Sequence, residues 1–298
     1  MTAVVVSGNL PSTGQVAARA VRLPGDQDAA GFCDQVNDLL KQHEAVLVVY
    51  PAWRPGDSAH RVRTARLALG TNRRMALPSP LSPLALSFTA DLLVHLAPYA
   101  PPGALPALAR RIGQSMLAGA WLRSVARLQH VPTRFSDHVR SYLPRSTFVV
   151  LTMPEPRVTR MDVGAVRQLS RPRAPATLVL TSHKQSDDPT HNTLASALAP
   201  TNVRVVSDQP WCAGFWGSKH TQEFVLFSAD PKDLTRICQA AHCITCRWCG
   251  TLIVAPPCPF CLVSGQVPLS GDEGAMFAGM SRPPSANALP TSGVGAHS

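Results

Sequence analysis

Five of the eight cysteines in this 298-residue chain lie within nineteen residues, from Cys243 to Cys261. Two CxxC pairs supply four of them, and these are Cys246, Cys249, Cys258 and Cys261. Two intervening residues let both sulfurs of a pair turn toward one ion, and Zn²⁺ binds four thiolates tetrahedrally. The spacing predicts a structural metal centre, because four protein ligands leave no coordination position open for substrate. Clustered pairs in a chain without an export signal also argue against a disulfide scaffold.

The segment from about residue 243 to 263 resembles the short zinc-ribbon class. Its first knuckle reads CxxCG and its second reads CPxC, with Gly250 directly after the second cysteine. Glycine tolerates the positive φ that so tight a turn often needs. The resemblance implies a bound structural Zn²⁺ and a short strand at residues 251–254. It covers about twenty residues of the chain and does not imply one particular activity.

Other ligand sets remain open from the sequence. Cys243, Cys246 and Cys249 form CxxCxxC, which is similar to the ferredoxin-type run that binds a [4Fe-4S] cluster. The gap before the next cysteine is eight residues rather than three, so the cluster is the minor alternative. His242 or Cys243 could also replace one of the four ligands, although both suit the end of a preceding helix.

The rest of the chain predicts an α/β fold with a mixed or parallel sheet and flanking helices. Short β-branched runs alternate with amphipathic patterns, and several runs are apolar on successive residues, as in strands covered on both faces. The predicted strands are residues 3–6, 45–50, 147–152, 176–181, 203–206 and 223–227. A helix is predicted over residues 29–41, and Asp230 followed by Pro231 predicts the start of another helix.

Three parts follow from these patterns: an α/β domain over residues 1–237, the ribbon over 238–263, and a tail over 264–298. The tail is rich in Gly, Pro and Ser, which predicts disorder. Residues of about 81–145 are predicted to form a helical insertion in the α/β domain. An apolar stripe from Leu105 through Leu122 to Ala126 predicts a helix, with Arg123 and Arg127 one turn apart on its surface.

The net charge of +10 is concentrated in the middle of the chain. Residues 110–173 contain twelve arginines against three acidic residues. A localised basic segment favours nucleic acid as a partner, and Arg123 with Arg127 is the expected contact pair. Arginine outnumbers lysine by 24 to 4, which is equally typical of a high-GC genome and needs no binding function.

Two loops are weaker candidates for chemistry. The loop of residues 8–15 superficially suggests a phosphate-binding loop, but it lacks the GK[ST] ending and contains Pro11, which has no amide hydrogen. An ordinary loop is therefore favoured. His183 and Asp187 follow a predicted strand, where α/β enzymes place their sites, but they also suit a solvated turn.

The leading hypothesis is a non-enzymatic, zinc-binding module acting on nucleic acid or in a nucleoprotein complex. The alternatives are an α/β enzyme with its site near His183 and Asp187, and an adaptor that binds a protein partner through Trp248 of the ribbon. The first residues lack a basic leader, so a cytoplasmic protein is expected. The most apolar stretch, residues 84–96, is too short to cross a bilayer, so no membrane contact is expected.

Overall fold

The computed structural model describes residues 1–264 apart from 17–18, 144–145, 161–165, 167–168, 170–171, 173–174 and 183–194. The strands are β1 (Thr2–Ser7), β2 (Val21–Leu23), β3 (Ala45–Pro51), β4 (Arg74–Ser79), β5 (Leu117–Leu122), β6 (Phe148–Met153), β7 (Arg157–Arg160), β8 (Ala176–Thr181), β9 (Asn202–Val206), β10 (Thr221–Ser228), β11 (Ile244–Thr245) and β12 (Leu252–Ile253). The helices include α1 (Ala29–Gln42), α2 (Pro55–Leu69), α3 (Pro83–Leu96), α4 (Leu105–Ser115), α5 (Phe135–Arg140), α6 (Cys212–Trp216) and α7 (Pro231–Gln239), and 3₁₀ turns lie at Ala97–Tyr99 and Pro102–Ala104.

Two sheets form the framework of the fold. The first is parallel, with the strand order β2-β1-β3-β4. The second is mixed, with the order β7-β6-β5-β10-β8-β9, in which β10 runs antiparallel to both of its neighbours while β8 and β9 are parallel. The predicted α/β class is thereby confirmed, and each of the six predicted strands is present. In the part of the chain that the structure describes, no helix is both long and apolar enough to span a bilayer.

Helix α3 lies between the two sheets. Twelve of its fourteen residues are buried, because its sequence is apolar on almost every face. One core cluster joins α3 to side chains of β1, β3 and β4 on one side and to β5, β8 and β10 on the other. Helices α1 and α2 cover the opposite face of the first sheet through a separate apolar cluster. The central helix therefore positions both sheets and everything that packs between them.

The loop that follows β1 is tied to α3 through the buried carboxylate of Asp91. Its oxygens accept hydrogen bonds from the Ser12 hydroxyl at 2.7 Å, the Thr13 N–H at 3.2 Å and the Ala20 N–H at 3.0 Å. The Arg22 guanidinium pairs with the same carboxylate at 2.9 Å. The hydroxyl and amide groups of this loop thus bind a protein carboxylate, which agrees with an ordinary loop between β1 and β2.

Within the predicted insertion, the apolar stripe forms a helix only as far as Ser115. The sequence predicts that this helix continues to Ala126, whereas the structure places Leu117–Leu122 as β5 in the middle of the second sheet. All six residues of β5 are buried, so the run carries no alternation of polar and apolar residues that would reveal a strand. Gly119 is the residue in this run that indicates a strand. A Cβ there would lie 2.2 Å from the Val150 carbonyl oxygen of β6, so the close approach of the two strands requires glycine.

A fully buried carboxyl, that of Glu223 on β10, lies where the second sheet meets the start of α3. Its Oε1 accepts hydrogen bonds from the Trp216 indole N–H at 3.0 Å and from the Leu84 backbone N–H at 3.4 Å. Burial raises the pKa of Glu223 to about 7, although these hydrogen bonds act in the opposite direction. The folded state therefore favours the protonated form of this side chain.

The stability of the fold should consequently fall as the pH rises from about 4.5 to about 7. Because the folded-state pKa of Glu223 lies above the ordinary value of 4.5, its contribution to the free energy of unfolding is complete below pH 4.5 and is lost as the pH rises through about 7. The loss amounts to on the order of 3 kcal/mol. We expect Glu223→Gln to flatten this decline between pH 5 and pH 8 in chemical unfolding, since the amide is neutral throughout. The exposed Glu155→Gln is the matched control, and equal pH slopes in Glu223→Gln and the wild type would show the assignment to be wrong.

Candidate functional site

The four predicted ligand sulfurs meet at one point. All of them lie within 4.8 Å of one another, with Sγ separations of 3.7 Å between Cys246 and Cys261 and 3.6 Å between Cys249 and Cys258. A tetrahedron with metal–sulfur bonds of about 2.3 Å requires sulfur separations of about 3.8 Å. The two CxxC pairs thus form a group that could hold one metal ion.

Local backbone geometry accounts for the convergence of the two pairs. In the first knuckle the Gly250 N–H donates to the Cys246 carbonyl at 2.8 Å, and Gly250 adopts the positive φ of 73° that the sequence predicts. The second knuckle closes in the same way, as the Leu262 N–H donates to the Cys258 carbonyl at 2.9 Å. The short β11–β12 hairpin joins the knuckles. Each pair is therefore shaped by contacts within its own few residues.

The surroundings of the Cys246 thiol favour its thiolate form. Burial disfavours the thiolate of Cys246, but hydrogen bonds from the backbone N–H groups of Cys249 and Trp248 outweigh it and lower the pKa to about 7. Burial raises the pKa of Cys258 and Cys261 instead, so only the Cys246 thiolate is favoured among these three, and metal binding would release the protons of the other two.

The alternative ligands stay outside the group of sulfurs. Cys243 is exposed, and its thiol contacts the Ala241 carbonyl at 3.5 Å. Within the described residues, the metal-competent set includes neither Cys243 nor His242. The ligand run that a [4Fe-4S] cluster would require is therefore not brought together, and Cys261 completes the set instead.

The cysteine segment is packed into the main core of the protein. The cluster that surrounds α3 includes the buried side chains of Cys246, Ile253, Cys258 and Phe260. A Cβ on Gly103, just before α4, would lie 2.3 Å from the Leu252 carbonyl oxygen, so the two backbones touch there. The Arg66 guanidinium of α2 donates to the Phe260 carbonyl at 2.5 Å. The cysteine segment and the described part of the α/β domain therefore share one buried cluster.

A second candidate site is an apolar cavity of about 540 Å³ among α3, α4, the end of β10 and α7. Its large apolar lining residues include Phe88, Leu92, Ile112, Met116, Phe227, Leu234 and Ile237, and Pro154, Pro172 and Ala240 also line it. The rings of Phe88 and Phe227 pack together with their centroids 4.4 Å apart. A neighbouring cavity of about 590 Å³ shares Leu92, Phe227 and Leu234 and adds polar side chains, so the two adjoin. We refer to the 540 Å³ cavity as the apolar groove.

Among the residues that the structure describes, two arginines border the apolar groove. Arg111 of α4 is half-buried, and its guanidinium reaches the Ile237 carbonyl of α7 at 3.5 Å, a long and weak hydrogen bond. Arg236 of α7 is exposed and is held in an ion pair by Asp233. Sequence reasoning counted Arg111 only as part of a basic segment. The sequence does place Arg111 next to Ile112, at the edge of the apolar stripe. That position predicts a cation beside an apolar surface.

The arginines chosen from the sequence do not share a helix surface. Arg123 follows β5, with its guanidinium 6.0 Å from the centroid of the Trp121 ring. Arg127 lies in the next turn, and its backbone carbonyl packs against Gly217. The i, i+4 relation that defined the pair requires a helix, and the chain is not helical there. His183, Asp187 and the tail from residue 265 lie outside the described residues.

No protein-family model and no curated protein sequence matches this chain. Solved structures do share its fold. A DegV family protein from Corynebacterium glutamicum superposes with a TM-score of 0.55 at 12% identity, covering 77% of this chain and 97% of its own. A DegV family protein from Thermus thermophilus, described as binding fatty acid, gives 0.54 at 13% identity, with 76% and 99% covered. One from Eubacterium eligens, loaded with heptadecanoic acid, gives 0.52 at 9% identity, with 76% and 100% covered.

These findings correct the prediction of a nucleic-acid-binding module. Structures with this fold are described with fatty acids as ligands, and the helical arginine pair that supported nucleic-acid binding does not exist. The alternatives, an enzyme with its site near His183 and Asp187 or an adaptor that uses Trp248, gain no support from them. The likeness at these identities concerns the fold alone, which is the fold of DegV-family structures.

Proposed function

We propose that this protein binds a long-chain fatty acid, with the acyl tail in the apolar groove and the carboxylate beside Arg111. The observation that carries the proposal is the cavity itself, which combines a mostly apolar lining with a half-buried guanidinium. The DegV-family structures that share the fold and are described with fatty acids support the same ligand class.

The size and lining of the apolar groove suit an acyl chain. Ligand sites typically enclose about 300 to 1,000 Å³ and are mostly apolar, with a few polar groups that fix orientation. The apolar groove has about 540 Å³. Burial of about ten methylene groups would contribute on the order of 8 kcal/mol before the costs of association are subtracted. Apolar burial would therefore supply most of the affinity.

Arg111 suits the carboxylate end of such a ligand. A guanidinium carries five N–H donors, and the weak bond to the Ile237 carbonyl occupies one of its nitrogens. A carboxylate can accept two parallel hydrogen bonds from this group, and partial burial strengthens them. Arg236 is a poorer candidate because Asp233 already neutralises it.

Palmitate affinity should depend on both ends of the apolar groove. We expect Arg111→Met to weaken binding by about ten- to a hundredfold, since one charge-assisted pair contributes about 1.5 to 3 kcal/mol. Leu234→Trp should weaken binding by filling the cavity from α7. The matched control is Arg110→Met, because Arg110 is exposed, adjacent on α4 and absent from the lining. Titration calorimetry on delipidated protein measures these affinities. Unchanged affinity in both groove variants would exclude this cavity as the binding site.

We also propose that the four thiolates hold a structural zinc ion. The sulfur separations of 3.6 and 3.7 Å suit tetrahedral zinc, and the small hairpin has little core of its own to stabilise it. Four protein ligands would leave the ion without an open position, so its contribution would be to folding.

Elemental analysis should find about one zinc per chain, as expected for a four-thiolate site. Cys258→Ser should lose most of this zinc, since Cys258 is a buried member of the set. Cys243→Ser is the control, because Cys243 is an exposed thiol outside the set. Several irons per chain in place of zinc would contradict the assignment and favour a cluster.

A further inference from the structure

We infer that metal binding at the four cysteines controls the shape of the apolar groove, and hence its affinity for an acyl ligand. The inference rests on the proposed function for its ligand and on the fold for its mechanism. The cysteine segment continues directly from one wall of the apolar groove and braces the start of another.

The first connection is through α7, the outer wall. Leu234 and Ile237 of this nine-residue helix line the apolar groove, and Ala240, just past its end, lines it too. Cys246 follows six residues after Ala240. A helix this short is marginal by itself, so its position depends on what holds its two ends. Strand β10 precedes its first end along the chain, the core packs against Leu234 and Ile237, and the first cysteine pair follows its second end.

The second connection is through α4, which supplies Arg111 and Ile112 to the apolar groove. The 3₁₀ turn Pro102–Ala104 leads directly into this helix, and β12 lies against that turn. At Gly103 the contact is between backbones, since an added Cβ would lie 2.3 Å from the Leu252 carbonyl oxygen and 3.1 Å from the Ile253 side chain. Strand β12 lies between the two cysteine pairs, so the hairpin that the metal would clamp is the one that supports α4.

Arg111 joins the two walls. Its guanidinium crosses from α4 to the Ile237 carbonyl of α7 at 3.5 Å. A displacement of α7 would therefore move the hydrogen-bond partner of the residue assigned to the ligand carboxylate. The binding groups depend on the relative position of α4 and α7. The cysteine segment contacts the 3₁₀ turn that leads into α4 and follows α7 along the chain.

Metal removal would release this support. The hairpin strands β11 and β12 have two residues each, which is too short for independent stability, so ligation would add ordering energy to the support that burial of Ile253 and Phe260 gives the segment. Without the ion, the hairpin would loosen from Gly103 and the end of α7 would lose its anchor. Because the coupling is thermodynamic, an acyl ligand should in turn raise the affinity for the metal by the same factor.

The test uses the full chain in zinc-loaded form and in metal-free form, prepared with a chelator under reducing conditions. Palmitate affinity, zinc content and hydrogen exchange are measured on both. We expect palmitate to bind the metal-free form about tenfold more weakly, within the usual range of coupling between sites. Exchange should accelerate in α4 and α7, while α1, on the far face of the first sheet, should stay protected.

One variant distinguishes the effect of the hairpin contact at Gly103 from the effect of metal binding. Gly103→Ala should retain zinc, because it changes no thiol, but it should weaken palmitate binding severalfold by forcing the hairpin away from α4. Gly56→Ala is the matched control, since an added Cβ there meets nothing within 4 Å. If metal removal instead unfolds the whole protein, including α1, the coupling is tested by comparing the palmitate affinity of zinc-loaded Gly103→Ala with that of the zinc-loaded wild type.

The outcomes distinguish the two proposals. Equal palmitate affinity with and without zinc, or wild-type affinity in zinc-loaded Gly103→Ala, would overturn the coupling and leave fatty-acid binding intact. Absence of palmitate binding in every form would overturn the proposed function. In that case hydrogen exchange decides the coupling, since unchanged protection of α4 and α7 on metal removal would refute it.

Discussion

The burial of α3 between two sheets is the constraint on which the rest of the structure depends. A helix with twelve of fourteen residues buried is stable only if apolar surfaces cover it on every side. The first sheet and the second sheet supply two of these surfaces. The buried carboxylate of Asp91 on this helix pairs with Arg22 and accepts hydrogen bonds from backbone N–H groups of the loop after β1. Its charge is thereby neutralised, and the loop is attached to the helix.

The apolar groove is a consequence of this arrangement. Phe88 and Leu92 of α3 form its inner wall, and α4 and α7 close over it from outside. The outer helices are less firmly held than α3, because α7 has polar residues on one side and is nine residues long. The proposed acyl site therefore lies between the buried α3 and the partly exposed α7, and the cysteine segment follows α7 along the chain.

Short-range patterns predicted the local elements well. Asp230 caps α7 by accepting from the Lys232 N–H at 2.9 Å, as its place before Pro231 indicates. The β-branched runs became strands because their apolar residues are covered on both faces. The same patterns failed at β5, where the run Leu117–Leu122 continues the periodicity of α4 although it is a buried strand. Periodicity cannot separate the two when every side chain is buried, and the placement of Arg123 and Arg127 failed with it.

The sequence by itself determined the grouping of the four cysteine sulfurs, because they lie within sixteen residues and two CxxC turns bring each pair together locally. Only the tertiary structure decided the apolar groove, whose lining runs from Phe88 to Ala240 along the chain. Those residues meet because α3, α4, β10 and α7 each bury apolar surface against distant parts of the chain. Burial of this kind depends on the whole fold, whereas a turn between two cysteines depends on the covalent geometry of four residues.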